Sequence, residues 1–359
     1  MTQPLFCTQA PVFVSGQQGY HTFRIPAIIT TPSGVVLAFC EGRRDGMNDS
    51  GKIDLVLKRS LDGGERWQPV AVVAEDDANT VGNPCPVVDR DTGTIWLLLT
   101  HNLGDDTEAE IISGTSRGTR SVWVTRSTDD GVTWYPPADI TALTKAPDWT
   151  WYATGPGVGI QLRSGRLVIP CDHIVAGSNA YRSHVIYSDD HGTTWQVGGA
   201  VGDVVDECQV IERHDGSLLL NMRNYDGLQP NRRAVSISTD RGITWSPVTY
   251  DAALVEPICQ AGLLRFTQTP PHQRDRVLFS NPASCDRVNM TIRLSYDEGE
   301  TWPVSKALCP GPSAYSCLAA LPDMTIGCLY ERGEAHPYET ITLARFNLAW
   351  LTDGADQVP

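Results

Sequence analysis

One arginine, Arg24, interrupts the apolar run YHTFRIPAI at residues 20–28. The run reads as a strand entering a core, where a charge is costly unless something pairs it. A planar guanidinium fork suits a carboxylate, and a cluster of such forks would hold a small anionic ligand. Charged or phenolic residues embedded in apolar surroundings, outside the turn-like repeats described below, are the further candidates. A phenol titrates near 10 and is a poor nucleophile unless a base stands beside it. Asp45 and Asp49, in the polar stretch RRDGMNDSGKIDLVL, offer carboxylic acids for proton transfer. No CxxC pair, HExxH helix or calcium-loop spacing points to metal chemistry.

The elements that must position these residues are strands. Five segments share the pattern S-x-D-x-G-x-[TR]-W: SLDGGERW from Ser60, STDDGVTW from Ser127, SDDHGTTW from Ser188, STDRGITW from Ser238 and SYDEGETW from Ser295. Successive serines are 67, 61, 50 and 57 residues apart, so the chain is built from a repeat. Asp and Ser bond nearby backbone, Gly takes a conformation other residues resist, and Trp supplies an apolar anchor. Strand-like runs lead into the boxes, IDLVLKRS and SVWVTRS among them, and no long helical periodicity appears. Short strands in a unit of this length predict four-stranded antiparallel blades around an axis. The boxes leave enough chain at each end for one more blade, closed by the N- and C-terminal strands. The expectation is an all-β, six-bladed β-propeller occupying residues 1–359 as one domain, with the box aspartates structural.

Composition is that of a globular chain, 41% apolar and 19% charged, without an apolar run long enough to span a membrane. A net charge of −14 argues against nucleic acid or an anionic membrane as partner. The ten cysteines are scattered singly and read mostly as buried small hydrophobes. The N-terminus MTQPLFCTQAPVF lacks a basic region followed by an apolar one, which favours the cytoplasm over secretion.

FRIPA at 23–27 followed by the boxes, with NPCP at 83–86, ECQV at 207–210, AYS at 314–316 and GCLYE at 327–331, resembles the sialidase (neuraminidase) superfamily. The likeness runs from about Tyr20 to Glu331 and extends to both the mammalian cytosolic branch and bacterial sialidases. It implies a retaining exo-α-sialidase, a glycoside hydrolase that frees terminal α-linked sialic acid from glycoproteins, glycolipids and oligosaccharides, with neither metal nor organic cofactor. Arg24, Arg223 and Arg287 match the triad that grips the substrate carboxylate, with Arg293 as rival to Arg287. Tyr315 matches the nucleophile and Glu207 its partner; sialidases are the glycosidases that use tyrosine there. Asp49 matches the general acid/base, with Asp45 as rival in the same loop. Arg43, with Arg44 as neighbour, matches a further pocket arginine, and Glu331 the carboxylate that orients the first arginine. Asn83 is expected to shape the pocket, and Glu108, in the stretch HNLGDDTEAEIISGTSRGTR, to touch ligand hydroxyls from a mobile loop. His21, beside FRIP, reads as structural.

The chain departs from the mammalian pattern after VIP, where tyrosines give way to CDHIVAG, with Asp172 and Ile174. That leaves open a hydrolase for deaminated or otherwise modified nonulosonic acids, or a trans-sialidase. In a different class stands a non-catalytic Asp-box propeller acting as a binding module, which would be expected to lack Arg24, Tyr315, Glu207 or Asp49.

Overall fold

The computed structural model describes residues 4–178 and 180–358; residues 1–3, 179 and 359 of the expected single domain lie outside the described residues. Strand dominates, and the helices among the described residues, Glu108–Ser113, Thr141–Thr144 and Leu348–Leu351, are short. Val36–Arg43 is buried at every position, and its sequence shows no alternation: the apolar run Val36–Cys40 is followed by the buried charges Glu41 and Arg43.

Consecutive strands pair as antiparallel meanders. Val205–Glu212, Leu218–Asn224, Arg232–Ser238 and Thr249–Val255 form one sheet in chain order. Trp149–Thr154, Leu167–Val175, Ala180–Ser188 and Gln196–Val201 form another, with Ile160–Gln161 added beside Leu167–Val175. An eight-stranded sheet joins two meanders through a single parallel pairing, Ile53 with Thr80. In a seven-stranded sheet, Val304–Ala320 serves two meanders, pairing first with Val288–Ser295 and further along with Ile326–Arg332. Cys7–Val14 closes that sheet against Thr340–Phe346, so the two ends of the chain meet. The meanders touch in cyclic order. Thr22–Thr30 packs on Thr80–Val88, which meets Leu167–Val175; then follow Val205–Glu212, Gly262–Thr267 and Val304–Ala320, and the last returns to Thr22–Thr30.

All five boxes repeat one hydrogen-bond pattern. In the fourth, Ser238 Oγ donates to Asp240 Oδ1 at 2.8 Å and accepts from Gly242 N at 2.8 Å, while Thr244 N donates to Asp240 Oδ1 at 2.8 Å. The box tryptophans bind a meander to the one before it. Trp195 meets Trp96 edge-on at 6.4 Å, Trp134 meets Phe39 at 5.8 Å, and Trp302 Nε1 donates to Asp251 Oδ2 at 2.9 Å. Bonds from the Thr244 hydroxyl and backbone push the Asp240 carboxyl down to about 2. Its contribution is therefore present above the ordinary carboxylate range and lost as pH falls toward 2. Asp240→Ala should lower stability by roughly 1–2 kcal/mol in thermal or denaturant unfolding and leave kcat/KM within about twofold of wild type. A large loss of activity without loss of stability would contradict the structural reading of the boxes.

The stretch 101–120 contains the helix Glu108–Ser113 where a loop was expected. Thr107 and Glu110 form a reciprocal capping box, and Gly114 ends the helix in the left-handed region at φ 72°. The signal, T-x-x-E before Ile111, was in the sequence but masked by the polar run around it. All ten cysteines are free, eight of them buried, with Cys7 half-buried and Cys285 exposed. No helix among the described residues is long and apolar enough to cross a membrane.

Candidate active site

At one end of the ring the leading strands break register, each where a side chain must turn inward. The breaks fall between Arg24 and Ala27, Gly82 and Cys85, Trp149 and Tyr152, Val205 and Cys208, and Ser313 and Ser316. These intervals hold or border Arg24, Asn83, Trp151, Glu207 and Tyr315. A bulge adds a residue to one strand and re-aims its side chains. Two of the bulges place non-glycine residues at positive φ, Ile25 at 61° and Asn83 at 51°. For a β-branched residue such as Ile25 this conformation costs of order 1–3 kcal/mol and needs compensation. Its N–H supplies part of that by donating to Glu331 Oε1 at 2.9 Å.

The breaks surround a polar cavity of about 270 Å³. Nine residues singled out from the sequence line it: Arg24, Arg43, Asp49, Asn83, Glu108, Glu207, Arg223, Arg287 and Tyr315. The tenth, Glu331, lies buried beneath. It receives Arg24 through two bonds, Nε to Oε1 at 3.1 Å and Nη2 to Oε2 at 3.3 Å, and accepts Tyr315 N at 3.0 Å. One carboxylate thus fixes the first arginine and the backbone of the tyrosine together.

All three triad candidates surround Tyr315. The Arg24 and Arg287 guanidinium carbons lie 5.0 and 5.6 Å from its ring centre, and Arg223 Nη1 donates to its oxygen at 3.1 Å. Arg223 Nε is buried without a protein partner among the described residues, a donor left for an anion. The Tyr315 hydroxyl donates to Glu207 Oε1, while Glu207 Oε2 accepts from Arg223 Nη1 at 2.7 Å. Burial first, then the Glu207 charge, push the Tyr315 phenol well above its ordinary range, so it rests neutral.

Asp49 stands at the rim, its side chain 55% exposed against 8% for Arg24, whose Nη1 lies 3.7 Å away. Arg43 Nη2 donates to it at 2.6 Å. Partial burial would raise this carboxyl, but the Arg43 and Arg24 charges outweigh burial and hold it below its ordinary value. Arg43 is itself seated on Glu41, through Nε at 3.0 Å and Nη2 at 2.7 Å.

The rivals lie elsewhere. Arg293 is in Val288–Ser295 and donates to Asn281, Arg44 pairs with Asp54, and Asp45 is exposed outside the cavity lining. His21 Nδ1 lies 2.7 Å from Thr22 Oγ1. Ile174 is buried and absent from the lining, whereas Asp172 belongs to it.

Sequence reading missed Glu41, Arg120, Trp151, Asp206, Tyr225 and Tyr338, all of which line the cavity. Glu41 had the same signal as Arg24, a charge inside the apolar run VVLAFCEGR. It also accepts Asn83 N at 2.9 Å, and it approaches so closely that a Cβ on Gly82 would lie 2.3 Å from its Oε1. Asp172 is buried, and burial followed by the charge of Asp206, a hydrogen bond with it and then the charge of Glu207 drive its carboxyl strongly upward. A larger cavity of about 610 Å³ is lined mainly by aliphatic residues such as Ile28, Val87, Ile211 and Leu318, without Tyr315, Glu207 and the arginines that line the smaller one.

The BNR repeat-like domain family matches residues 34–328. The chain is 39% identical over 368 residues to the Sialidase of Micromonospora viridifaciens, covering 97% of this chain and 55% of that protein, so it spans little more than half of that relative. To the Exo-alpha-sialidase of Aspergillus fumigatus it is 35% identical over 369 residues, 94% of this chain and 86% of the relative. Among solved structures the Hadza microbial sialidase Hz136 matches with a TM-score of 0.87 at 32% identity, over 96% of this chain and 69% of that one. Mammalian sialidases are among the further relatives.

Proposed function

Because this chain belongs to the sialidase family of β-propeller glycoside hydrolases, we propose that it is a retaining exo-α-sialidase acting on terminal α-linked sialic acid of glycoconjugates. The observation that carries the reading is the contact of Tyr315 with both Glu207 and Arg223, beneath Arg24 and Arg287. We take the fold to have six blades, with each fused sheet standing for two meanders, and residues 1–359 to be one catalytic domain.

Arg24, Arg223 and Arg287 receive the substrate carboxylate and so fix the anomeric carbon above the Tyr315 oxygen. That carbon carries the carboxylate, which would repel an anionic carboxylate nucleophile; a neutral phenol approaches without penalty. As the Tyr315 oxygen attacks, its proton passes to Glu207, and Asp49 protonates the departing glycosidic oxygen. Water activated by Asp49 then cleaves the tyrosyl–sugar bond, and the phenol regains its proton from Glu207. The arginines oppose the substrate's negative charge throughout and are already held in place, Arg24 by Glu331, Arg223 by Glu207 and Arg287 by the Tyr338 hydroxyl and the Ile258 carbonyl.

The low resting value of Asp49 fits this cycle. Arg43 depresses Asp49 most and Arg24 next; substrate carboxylate on Arg24 offsets that second charge, so binding itself moves the acid toward the protonated form it needs. Asp49→Asn should lower kcat/KM by about 10²–10³-fold for natural sialosides and much less for aryl sialosides, whose leaving groups need no proton. Equal losses on both substrates would assign the acid elsewhere.

The direct test is hydrolysis of fluorogenic sialosides, with NMR of the first-formed anomer. Release of the α-anomer supports retention, and initial β-product would overturn it. N-acetyl, N-glycolyl and deaminated substrates run side by side decide between sialidase and a hydrolase for modified nonulosonic acids; adding lactose as acceptor exposes transfer. Absence of turnover on all of them would favour a binding module.

A further inference from the structure

Lys145 follows the helix Thr141–Thr144, and its side chain is buried without a bond to any carboxylate. Its ammonium donates to Thr119 Oγ1 at 2.7 Å, to the Arg120 carbonyl at 2.6 Å and to the Thr150 carbonyl at 2.7 Å. Three protons meet three oxygens, so the charged form is fully used; a neutral amine has one donor too few. These oxygens come from two neighbouring sheets. Thr119 and Arg120 lead into Ser121–Ser127, and Thr150 lies in Trp149–Thr154. Both attachment points adjoin the catalytic cavity: Arg120 and Trp151 line it, with the guanidinium 4.0 Å over the indole. Arg120 in turn holds Asn83, which occupies one of the strained bulges.

We propose that Lys145, as its ammonium, is a positioning residue that locks Arg120 and Trp151 into one wall of the cavity, and that losing its proton slackens the wall and weakens substrate binding. The groups facing it are Arg120, at the start of one strand, and His173, in Leu167–Val175. Burial, then the Arg120 charge, lowers Lys145 to about 7; His173 is lowered to about 3 by burial and then by Arg182 and Lys145, so it stays neutral. An unfolded lysine titrates near 10.4, so the unfolded chain binds more protons between about pH 7 and 10. This group therefore makes the fold more stable as pH rises through that window. Substrate binding should move the opposite way, because it needs the charged form. A lysine retained only for packing gives no reason for that opposition.

The kinetic arm of the test rests on the sialidase reading; the titration arm does not. KM and kcat for a fluorogenic sialoside are measured from about pH 5.5 to about 8.5 on wild type, Lys145→Met and Thr119→Val. A ¹³C-lysine NMR titration of the intact protein runs beside them, with Lys145→Met assigning the resonance. Wild-type KM should rise about fivefold as pH crosses about 7, with kcat changing less than about twofold from this source. Lys145→Met should show the raised KM already at the acid end and no further rise, and Thr119→Val an intermediate value. A Lys145→Met KM equal to wild type, or one that keeps the alkaline rise, would overturn the proposal. If Lys145→Met does not fold, Thr119→Val with a wild-type KM profile overturns it equally. Turnover with a lysine resonance near 10 overturns the role of Lys145 alone; no turnover with a resonance near 7 overturns the enzymatic reading instead.

Discussion

Tyr315→Phe is expected to lower kcat by on the order of 10³-fold or more while leaving the fold nearly untouched. The two effects separate because of how the hydroxyl is held. It donates to Glu207, but Glu207 keeps its ion pair with Arg223 at 2.7 Å when the phenol oxygen is gone. The ring stays in its buried place against Arg24 and Arg287, so stability should fall only by about 1 kcal/mol, the ordinary net worth of a hydrogen bond. The chemical loss is large because no other group stands beneath the three arginines with a base already bonded to it. A sialosyl donor fluorinated to slow the second step should leave an adduct on the Tyr315 peptide of wild type and none on the variant. Undiminished turnover by Tyr315→Phe, or an adduct mapped to another residue, would sink the assignment.

Arg24→Met should combine two large effects that a second substitution can separate. The Glu331 side chain is fully buried, and without Arg24 it becomes a charge held only by the N–H groups of Ile25 and Tyr315. Removing one partner of a buried pair costs about 3–5 kcal/mol, so denaturant unfolding should shift accordingly. Loss of one arm of the carboxylate clamp should lower kcat/KM by about 10²–10³-fold, chiefly through KM. Adding Glu331→Gln keeps an acceptor for both N–H groups and removes the stranded charge. The double variant should recover much of the stability and none of the binding. Recovery of activity together with stability would mean that Arg24 serves the fold and does not meet substrate.

The electrostatics of the cavity follow from how few charges are left without partners. Arg24 leans on Glu331, Arg43 on Glu41 and Arg223 on Glu207, so each guanidinium is fixed before any ligand arrives. Lys145, Arg120 and Arg287 have no such carboxylate and donate to neutral oxygens only, while Asp172 is buried beside the like charges of Asp206 and Glu207. Groups that weaken a fold without an ion-pair partner belong where function keeps them, and all four lie in or behind this cavity.

Arg24 was legible because a charge stood alone in an apolar run, and Glu41 carried the same mark unread. Arg223, Glu207 and Tyr315 were reached through the motifs that carry the family resemblance. Arg120, Trp151 and Lys145 gave no such signal, because each lies in polar or turn-like sequence and gains its role only from what packs on it. The helix at Glu108 was hidden by its polar surroundings despite its capping box.

By itself the sequence determined the strands, their punctuation and their repeat. The bonds that make an Asp box run between residues two to four apart, so eight residues suffice to specify each turn. It also determined that some charges had to be buried and paired. Only the tertiary structure decided the partners, since Arg24 meets Glu331 across 307 residues and Tyr315 meets Glu207 across 108. It alone decided the register breaks that turn those side chains inward. A bulge is a relation between two strands, and neither strand's sequence contains it.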